Sequence, residues 1–404
     1  KRHSKDMDLT TMMKIGKDVN ERLMLESSKL WVERIVRSIN KKVAEEKAPL
    51  STAIMQAEAK PTILRGCMVG ESTLSRIIVD KFLYHIPEYR QAKHFKSMGV
   101  DIPTSSINRW VHALADKLYP LYQTQVQKVL STDYIQIDET TLPITDRPGK
   151  SRKGYLWAIR SVLSPGLFFH YEKGSRGQEV VLKLLKDYQG ALQSDGYAAY
   201  SKYEDKQGVL SLGCLAHVRR KFETALKFSV EAQKGLDYIA LLYMLEANLK
   251  EEGAGYKQKA KERQEKAYPI LQKMESWMKE AFNKTTPKSP IGQAITYAFG
   301  MWPRVSRYGS DGRFEIDNNG IENDIRPIAL GRKNYLFAGN DDGAEDYCLY
   351  YTLLGSCLQA DIDPEQWFNQ TLQSIPLLQT TIDWDALLPC NSALPKCTSK
   401  TDKH

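Results

Sequence analysis

A change of hydrophobic periodicity at residue 131 constrains the fold more than any other feature of the sequence. The preceding segment, 71–128, has apolar residues at helical spacing, whereas STDYIQIDETTLPI (131–144) alternates. The alternation places Ile135 and Ile137 on one face and Gln136 and Asp138 on the other. This pattern is typical of a strand with one buried face. The elements that follow then decide which kind of sheet this strand joins.

The segments after this strand predict a mixed sheet. Two β-rich runs, YLWAIRSVL and LFFHYEKG, flank the turn signal Ser164-Pro165-Gly166 and predict a hairpin. A helix that ends at Gly190 follows, and then come two short strands, ALQSDGY and GVLSLGC, and the helix LAHVRRKFETALKF. Three antiparallel strands followed by a helix and a parallel strand are the order of an RNase H-like core. We therefore predict an α/β fold with a five-stranded mixed sheet and helices.

The segment before the sheet, 51–128, predicts an α-helical DNA-binding region. Its second helix ends at Gly99, and caps are predicted at Ser72 or Thr73 for the first helix and at Thr104 or Ser105 for the third. Short helices broken at a glycine and followed by a capped helix outline a helix-turn-helix, from which Arg109 and His112 would project. A plain helical bundle explains the same pattern.

The other regions complete the predicted organisation. Residues 1–50 form a charged N-terminal region, and the predicted RNase H-like core spans 129–340 with a helical insertion at about 225–310. The insertion explains the long stretch between the strand that ends at Asp195 and the later helix that carries Glu322. Asp317 or Asn318 would cap that helix. C-terminal helices occupy 341–380, including one capped by Asp363 with Pro364 at its first position, and 381–404 is predicted to be a disordered tail.

Composition excludes several classes of protein. The net charge of +8 permits binding to a polyanion without demonstrating it. No apolar run could span a bilayer and no secretory signal is visible, so a cytoplasmic protein without a membrane partner is expected. The six cysteines are too sparse for a disulfide framework, and reduced thiols are predicted.

Three acidic residues form the candidate catalytic set. Asp138 and Asp195 would end neighbouring strands of the predicted sheet, and the insertion would return Glu322 to the same edge. Carboxylates held this close repel one another, and a divalent cation removes that cost; hard oxygen ligands suit Mg²⁺ or Mn²⁺. Two such ions about 4 Å apart can activate a water or 3′-hydroxyl for displacement at phosphorus. Taken alone, any three of the 49 acidic residues are weak support, because most are surface groups.

Several long strings make the chain resemble the transposases of the bacterial insertion sequence 66 family. They are IQIDET, QSDGYAAY, CLAHVRRKF, DNNGIENDIRPIALGRKNYLFAG and the helical segment LSRIIVDKFLYHIPEYRQAKHFKSMGVDIPTSSINRWV. The likeness covers roughly residues 12 to 375. It implies a DDE transposase that cleaves transposon ends and joins 3′-hydroxyls to target DNA, with Asp138, Asp195 and Glu322 as the triad and metal ligands.

The resemblance also implies further site residues and partners. The family's Cys, His, Arg and Phe motif falls on Cys214, His217, Arg220 and Phe222. His217 would contact the scissile phosphate or a carboxylate ligand, or would simply start its helix. The family implies double-stranded DNA (terminal inverted repeats and target) as partner, a homo-oligomer on that DNA, possible accessory proteins and a nucleoid-associated bacterial location.

One departure from the family concerns zinc. The segment KIGKDVNERLMLESSKLWVERIVRSINKK resembles the surroundings of a zinc module, but its flanking cysteine pairs are absent. Cys214 and His217 are too few for a structural site, so no zinc is expected.

Basic residues near the predicted site are candidates for phosphate contacts. They are Arg109, Arg219, Arg220, Lys221, Arg326, Arg332 and Lys333. Each is equally explained as a solvated surface charge, and Arg326 as a partner of Glu322 one helical turn away. Two other functions stay open: a catalytically inactive, DNA-binding relative that acts as a repressor, and another RNase H-like nuclease such as a junction resolvase.

Overall fold

The computed structural model describes residues 29–41, 54–147, 150–173, 175–196, 200, 208–378 and 383–397. The chain divides into two compact units, Lys1–Ala59 and Lys60–His404. In the first unit, strands β1 (Ile39–Lys41) and β2 (Ile54–Gln56) pair antiparallel, and 29–38 is exposed and has no regular structure. Most of the segment that resembles a zinc-module remnant lies outside the described residues.

The second unit is built on a five-stranded mixed sheet, as predicted. Its strands are β3 (Tyr134–Arg147), β4 (Lys150–Ser161), β5 (Leu167–Glu172), β6 (Gly190–Gln193) and β7 (Val209–Leu212), in the order β5-β4-β3-β6-β7. The first three strands pair antiparallel, whereas β6 runs parallel to β3 and β7 runs parallel to β6. The long β3 is therefore the central strand, and the candidate aspartates lie on or just after β3 and β6.

Helices from both ends of this unit share one apolar core with the sheet. They are α1 (Glu71–Phe82), α2 (Glu88–Ser97), α3 (Thr104–Leu130), α11 (Asp341–Gln359) and α12 (Pro364–Ser374). Phe82, Leu118, Leu142, Phe169 and Tyr350 are all buried in it. The predicted boundary near residue 128 therefore does not separate two cores: α3 runs past it and packs on α11 and the sheet.

The remaining helices carry the chain away from the sheet and back. They are α4 (Gln178–Leu184), α5 (Leu215–Leu226), α6 (Ala232–Glu251), α7 (Tyr256–Glu262), α8 (Tyr268–Lys284), α9 (Pro290–Val305) and α10 (Asn319–Tyr335). A π-helical turn, Arg263–Ala267, joins α7 to α8. Helices α6–α9 occupy the predicted insertion and bury a second core that includes Phe222, Leu242 and Ile295.

Some helix ends differ from the sequence-based prediction. The cap at Asp363 is confirmed, because its carboxylate accepts a hydrogen bond from the Gln366 amide at 2.9 Å. The caps predicted at Ser72 or Thr73 and at Thr104 or Ser105 are wrong. Gly70 and Pro103 precede those helices, and neither helix has a side-chain cap. An exposed serine or threonine gives a capping signal at several neighbouring positions, so the pattern alone does not fix the first residue.

Two further expectations concern the C-terminal tail and membrane-spanning helices. In the tail predicted to be disordered, residues 383–397 are described, and Leu388 is fully buried against the first core. Within the described ranges, no helix is long and apolar enough to cross a membrane.

Candidate active site at the edge of the sheet

The two candidate aspartates lie just beyond the paired part of two neighbouring parallel strands. Asp138 lies within β3, which continues to Arg147, so the expectation that Asp138 ends its strand is wrong, whereas Asp195 does follow β6. Gln136 of β3 lies opposite Gln193 of β6 in the ladder. Asp138 and Asp195 each come two residues later, so both chains leave this pairing toward the same edge. Asp138 accepts a hydrogen bond from the Glu139 amide at 2.8 Å. The strand pattern therefore predicted the relation between the two strands correctly.

Helix α10 brings the third carboxylate to the same region. Glu322 lies in its first turn, where Oε1 is 3.8 Å from His217 Nε2 and Oε2 is 3.7 Å from Arg220 Nη2. Oε1 is buried, and no hydrogen-bond partner for it is found among the described residues. An acceptor buried without a donor is costly, which makes this oxygen a candidate ligand atom.

The three carboxylates act on one another electrostatically. Burial raises the pKa of Asp138 to about 7, and the negative charges of Glu139, Asp195 and Glu322 add to that rise. Among the residues that the structure describes, however, no three His, Cys, Asp or Glu side chains are arranged as ligands of one metal ion. The three carboxylates therefore repel one another electrostatically, but in this structure they do not form the ligand set of one metal ion.

His217 stands between the carboxylates and the basic residues. It lies in the first turn of α5, with its Nε2 3.4 Å from Arg220 Nη1. Burial lowers the pKa of His217, although Asp195 and Glu322 act in the opposite direction. The imidazole is therefore neutral at neutral pH and is able to accept or donate a proton.

Other residues support the site, and the sequence analysis gave them no role. The buried carboxylate of Glu139 accepts hydrogen bonds from Tyr200 at 2.7 Å and from Arg176 Nε at 2.7 Å, on the face of β3 opposite Asp138. The Tyr297 hydroxyl donates to the Asp195 carbonyl at 3.0 Å. A second acidic residue directly after Asp138 was the only sequence signal for this support.

The basic candidates have different surroundings. Arg220 contacts Glu322, whereas Arg219 pairs with Glu223 at 2.9 Å and Lys221 lies over the ring of Tyr297. The remaining exposed candidates are Arg109, Arg326 and Lys333. No ion pair between Arg326 and Glu322 is found in the described part of the chain.

Two residues expected to face DNA instead make contacts inside the protein. Arg332 Nη1 donates to the side chains of Thr140 and Thr141 at 3.3 and 3.2 Å and also to the Thr141 carbonyl, so it ties α10 to β3. His112 does not project freely from α3. It hydrogen-bonds Asp346 of α11, and this bond raises its pKa. The sequence could not show these contacts, because Arg332 and His112 each bind residues that are far away from them in the chain.

Fold and site together define a mixed α/β protein with partly buried acidic residues beside a histidine and an arginine. The family model described as "Transposase IS66 family" matches residues 66–346. That match covers most of the chain, including all three carboxylates. The chain therefore belongs to the IS66 family of transposases.

Three proteins of Sinorhizobium fredii (strain NBRC 101917 / NGR234) are similar over most of the chain. Uncharacterized protein y4jD is 30% identical over 398 residues, which cover 94% of this chain and 76% of that protein. Uncharacterized protein y4qI is 32% identical over 396 residues, covering 93% and 71%. Uncharacterized protein y4hP is 28% identical over 388 residues, covering 90% and 69%.

Proposed function

We propose that this chain is an active DNA transposase with an RNase H-like core. It would cleave DNA at the ends of its element and join the resulting 3′-hydroxyls to target DNA. Membership of the family supports the class of reaction, and the mixed sheet with two aspartates on neighbouring parallel strands supports the core. Asp138, Asp195 and Glu322 are the proposed catalytic triad.

The observation that carries this proposal is the position of the three carboxylates: Asp138 and Asp195 lie just beyond the paired part of neighbouring parallel strands, and Glu322 lies in the first turn of α10 beside His217. Burial raises the pKa of Asp138 to about 7, with further repulsion from the neighbouring carboxylates, so the ionised side chain destabilises the folded state. Such an arrangement is typical of functional sites, where another charge offsets the repulsion. Structural carboxylates more often pair with Lys or Arg, as Glu246 does with Arg263 in the insertion.

The donor chemistry of the site fits a divalent cation. The three side chains offer hard oxygen ligands, and the buried Glu322 Oε1 has no hydrogen-bond donor among the residues that the structure describes. These are the ligands that Mg²⁺ or Mn²⁺ prefers, and Asp138, Asp195 and Glu322 would hold the ions. When bound, the ions would supply charge stabilisation for the attacking and leaving oxygens during displacement at phosphorus.

The protein's own groups would bind and orient the DNA. A neutral His217 is able to donate a hydrogen bond to the scissile phosphate or to hold a proton at Nε2 beside Glu322. Arg220, whose side chain is largely exposed, would exchange its contact with Glu322 for one with a phosphate oxygen. We assign further phosphate contacts to exposed basic residues, namely Arg109, Arg219, Lys221, Arg326 and Lys333.

Partners and location follow from this function. The proposed substrate is double-stranded DNA, both the terminal inverted repeats and the target. Because two ends must be cut and joined together, we propose a homo-oligomer assembled on paired ends, with accessory proteins of the element as further partners. The protein would act in the bacterial cytoplasm, at the nucleoid.

The proposal predicts metal-dependent cleavage and joining by the wild-type chain. The substrate is a duplex that carries the inverted repeats flanking the coding sequence in its own genome, incubated with a target plasmid. We expect nicks with 3′-hydroxyl ends, and joined products, in Mg²⁺ or Mn²⁺ but not in EDTA. A duplex with scrambled terminal repeats is the matched control and is expected to stay intact.

The products separate the proposed function from its two alternatives. Specific binding to the repeats without any nick would support an inactive, DNA-binding relative that acts as a repressor. Metal-dependent cleavage without joined product would support another RNase H-like nuclease. Cleavage that continues in EDTA would contradict the metal-dependent mechanism.

A further inference from the structure

A row of buried polar side chains crosses the sheet one step behind the carboxylates. Gln193 of β6 lies opposite Gln136 of β3, and Gln136 lies opposite Arg160 of β4. Both glutamines are buried, with 2% of Gln136 and none of Gln193 exposed. We call Gln193, Gln136 and Arg160 the polar row. Apolar residues are the usual choice on a covered sheet face, so buried amides here call for an explanation.

The polar row binds the segment that returns from the insertion. Gln193 Nε2 donates to the Glu315 carbonyl at 2.9 Å, and Gln136 Nε2 donates to the Asp317 carbonyl at 3.0 Å. The two glutamines are also joined, because Gln136 Nε2 lies 2.8 Å from Gln193 Oε1. These bonds satisfy partly buried carbonyls that are not part of the sheet ladder.

The same row continues onto helix α10. Arg160 Nη1 donates to Asp324 at 3.1 Å. At Gly320, an added Cβ would lie only 2.6 Å from Arg160 Nη1 and 2.8 Å from Gln136 Oε1. The first turn of α10 therefore rests directly on the row, and glycine permits this close approach.

We propose that the polar row is a positioning device that holds the first turn of α10, and with it Glu322, in a fixed register beside the strands that carry the two aspartates. This inference rests on the proposed function. Asp138 and Asp195 lie two residues beyond Gln136 and Gln193, and Glu322 lies two residues beyond Gly320. The directional bonds of the row fix the register of the return segment. A slip of one residue would rotate Glu322 by about 100° around the helix axis.

If the polar row had only a structural role, its loss would lower the stability of the protein and leave metal binding unchanged. The control variant must therefore remove a buried glutamine amide at a place away from the site. Gln125 of α3 provides it: this glutamine is 1% exposed, and its Nε2 donates to the Leu167 carbonyl at 3.4 Å, away from the site. Gln136→Met and Gln125→Met each replace a buried amide with an apolar side chain of similar length.

Binding of Mn²⁺ to the full chain, followed by the electron paramagnetic resonance signal of the free ion without DNA, tests the proposal. We expect Gln136→Met to weaken Mn²⁺ binding by about tenfold or more, as loss of a group that orients a ligand does. Gln125→Met is expected to stay within about twofold of wild type at a comparable melting temperature.

A second variant guards against misfolding of the first. Gly320→Ala keeps every donor of the row but pushes the first turn of α10 off it, and the same weakening of Mn²⁺ binding is expected. The proposal is overturned if Gln136→Met and Gly320→Ala, both folded, bind Mn²⁺ as wild type does. That failure differs from failure of the proposed function, which would appear as wild-type protein that does not cleave terminal-repeat DNA.

Discussion

Replacing Asp138 with asparagine is expected to lower metal-dependent cleavage of terminal-repeat DNA by about 10³-fold while DNA binding is retained. The amide keeps the shape of the side chain and removes the charge that would hold the ion. Loss of a group that stabilises charge in the transition state commonly lowers a reaction rate by about this factor. Cleavage rates and gel-shift affinities of the same preparations would measure the two effects.

The same substitution should stabilise the protein when no ion is present. Burial, and in second place the neighbouring carboxylates, raise the pKa of Asp138 to about 7. At pH 8 the wild-type side chain is therefore ionised, and its lost hydration together with the repulsion destabilises the folded state. Asp138→Asn in EDTA is therefore expected to melt at a higher temperature than wild type. Asp133→Asn, an exposed position just before the same strand, is the control that should change neither property. Cleavage that survives Asp138→Asn would exclude this triad.

Replacing Arg263 with methionine is expected to destabilise the protein by about 3–5 kcal/mol, because it leaves a partly buried carboxylate and three carbonyls without their donor. Arg263 is 1% exposed. Its Nε and Nη2 donate to Glu246 at 2.8 and 2.7 Å. Its Nη1 donates to the carbonyls of Tyr308, Asp311 and Phe314 at 3.3, 2.9 and 2.8 Å.

The matched control for Arg263 lies in the segment whose carbonyls Arg263 binds. Arg313 pairs with Asp311 at 2.7 Å, but both side chains are partly exposed, and Arg313→Met is expected to cost less than about 1 kcal/mol. Urea unfolding followed by tryptophan fluorescence would compare the variants, because Trp277 and Trp302 lie in this core. Equal losses for Arg263→Met and Arg313→Met would show that the buried pair does not hold the insertion together.

The sequence predicted the sheet well because its strands obey local rules. Alternation marked β3, the turn at Ser164-Pro165-Gly166 marked the β4–β5 hairpin, and both were confirmed. The length of α3 was less visible. Its helix continues through Pro120 to Leu130, although proline usually ends such a pattern. Packing of α3 on α11 and the sheet offsets the lost hydrogen bond, and that contact joins segments far apart in the chain.

The candidate site could be predicted only in part from the sequence, because its residues lie far apart in the chain. Asp138 and Asp195 follow from strand order, whereas Glu322 followed only from an inferred insertion and from the family resemblance, because no local rule links it to residues so far away. Partners of Arg332 and His112 are equally distant, and a sequence pattern cannot distinguish an arginine that binds a strand carbonyl from one that faces DNA. The polar row escaped notice because Gln136 and Gln193 resemble ordinary strand residues until the return segment covers them.

Anomalous diffraction from crystals grown with Mn²⁺ tests the central claim most directly. We predict manganese peaks within about 2.5 Å of carboxylate oxygens from Asp138, Asp195 and Glu322, with Glu322 turned from Arg220 toward the ion. Manganese bound only elsewhere, or a Glu322 that keeps its contacts with His217 and Arg220 while the aspartates bind no ion, would contradict it.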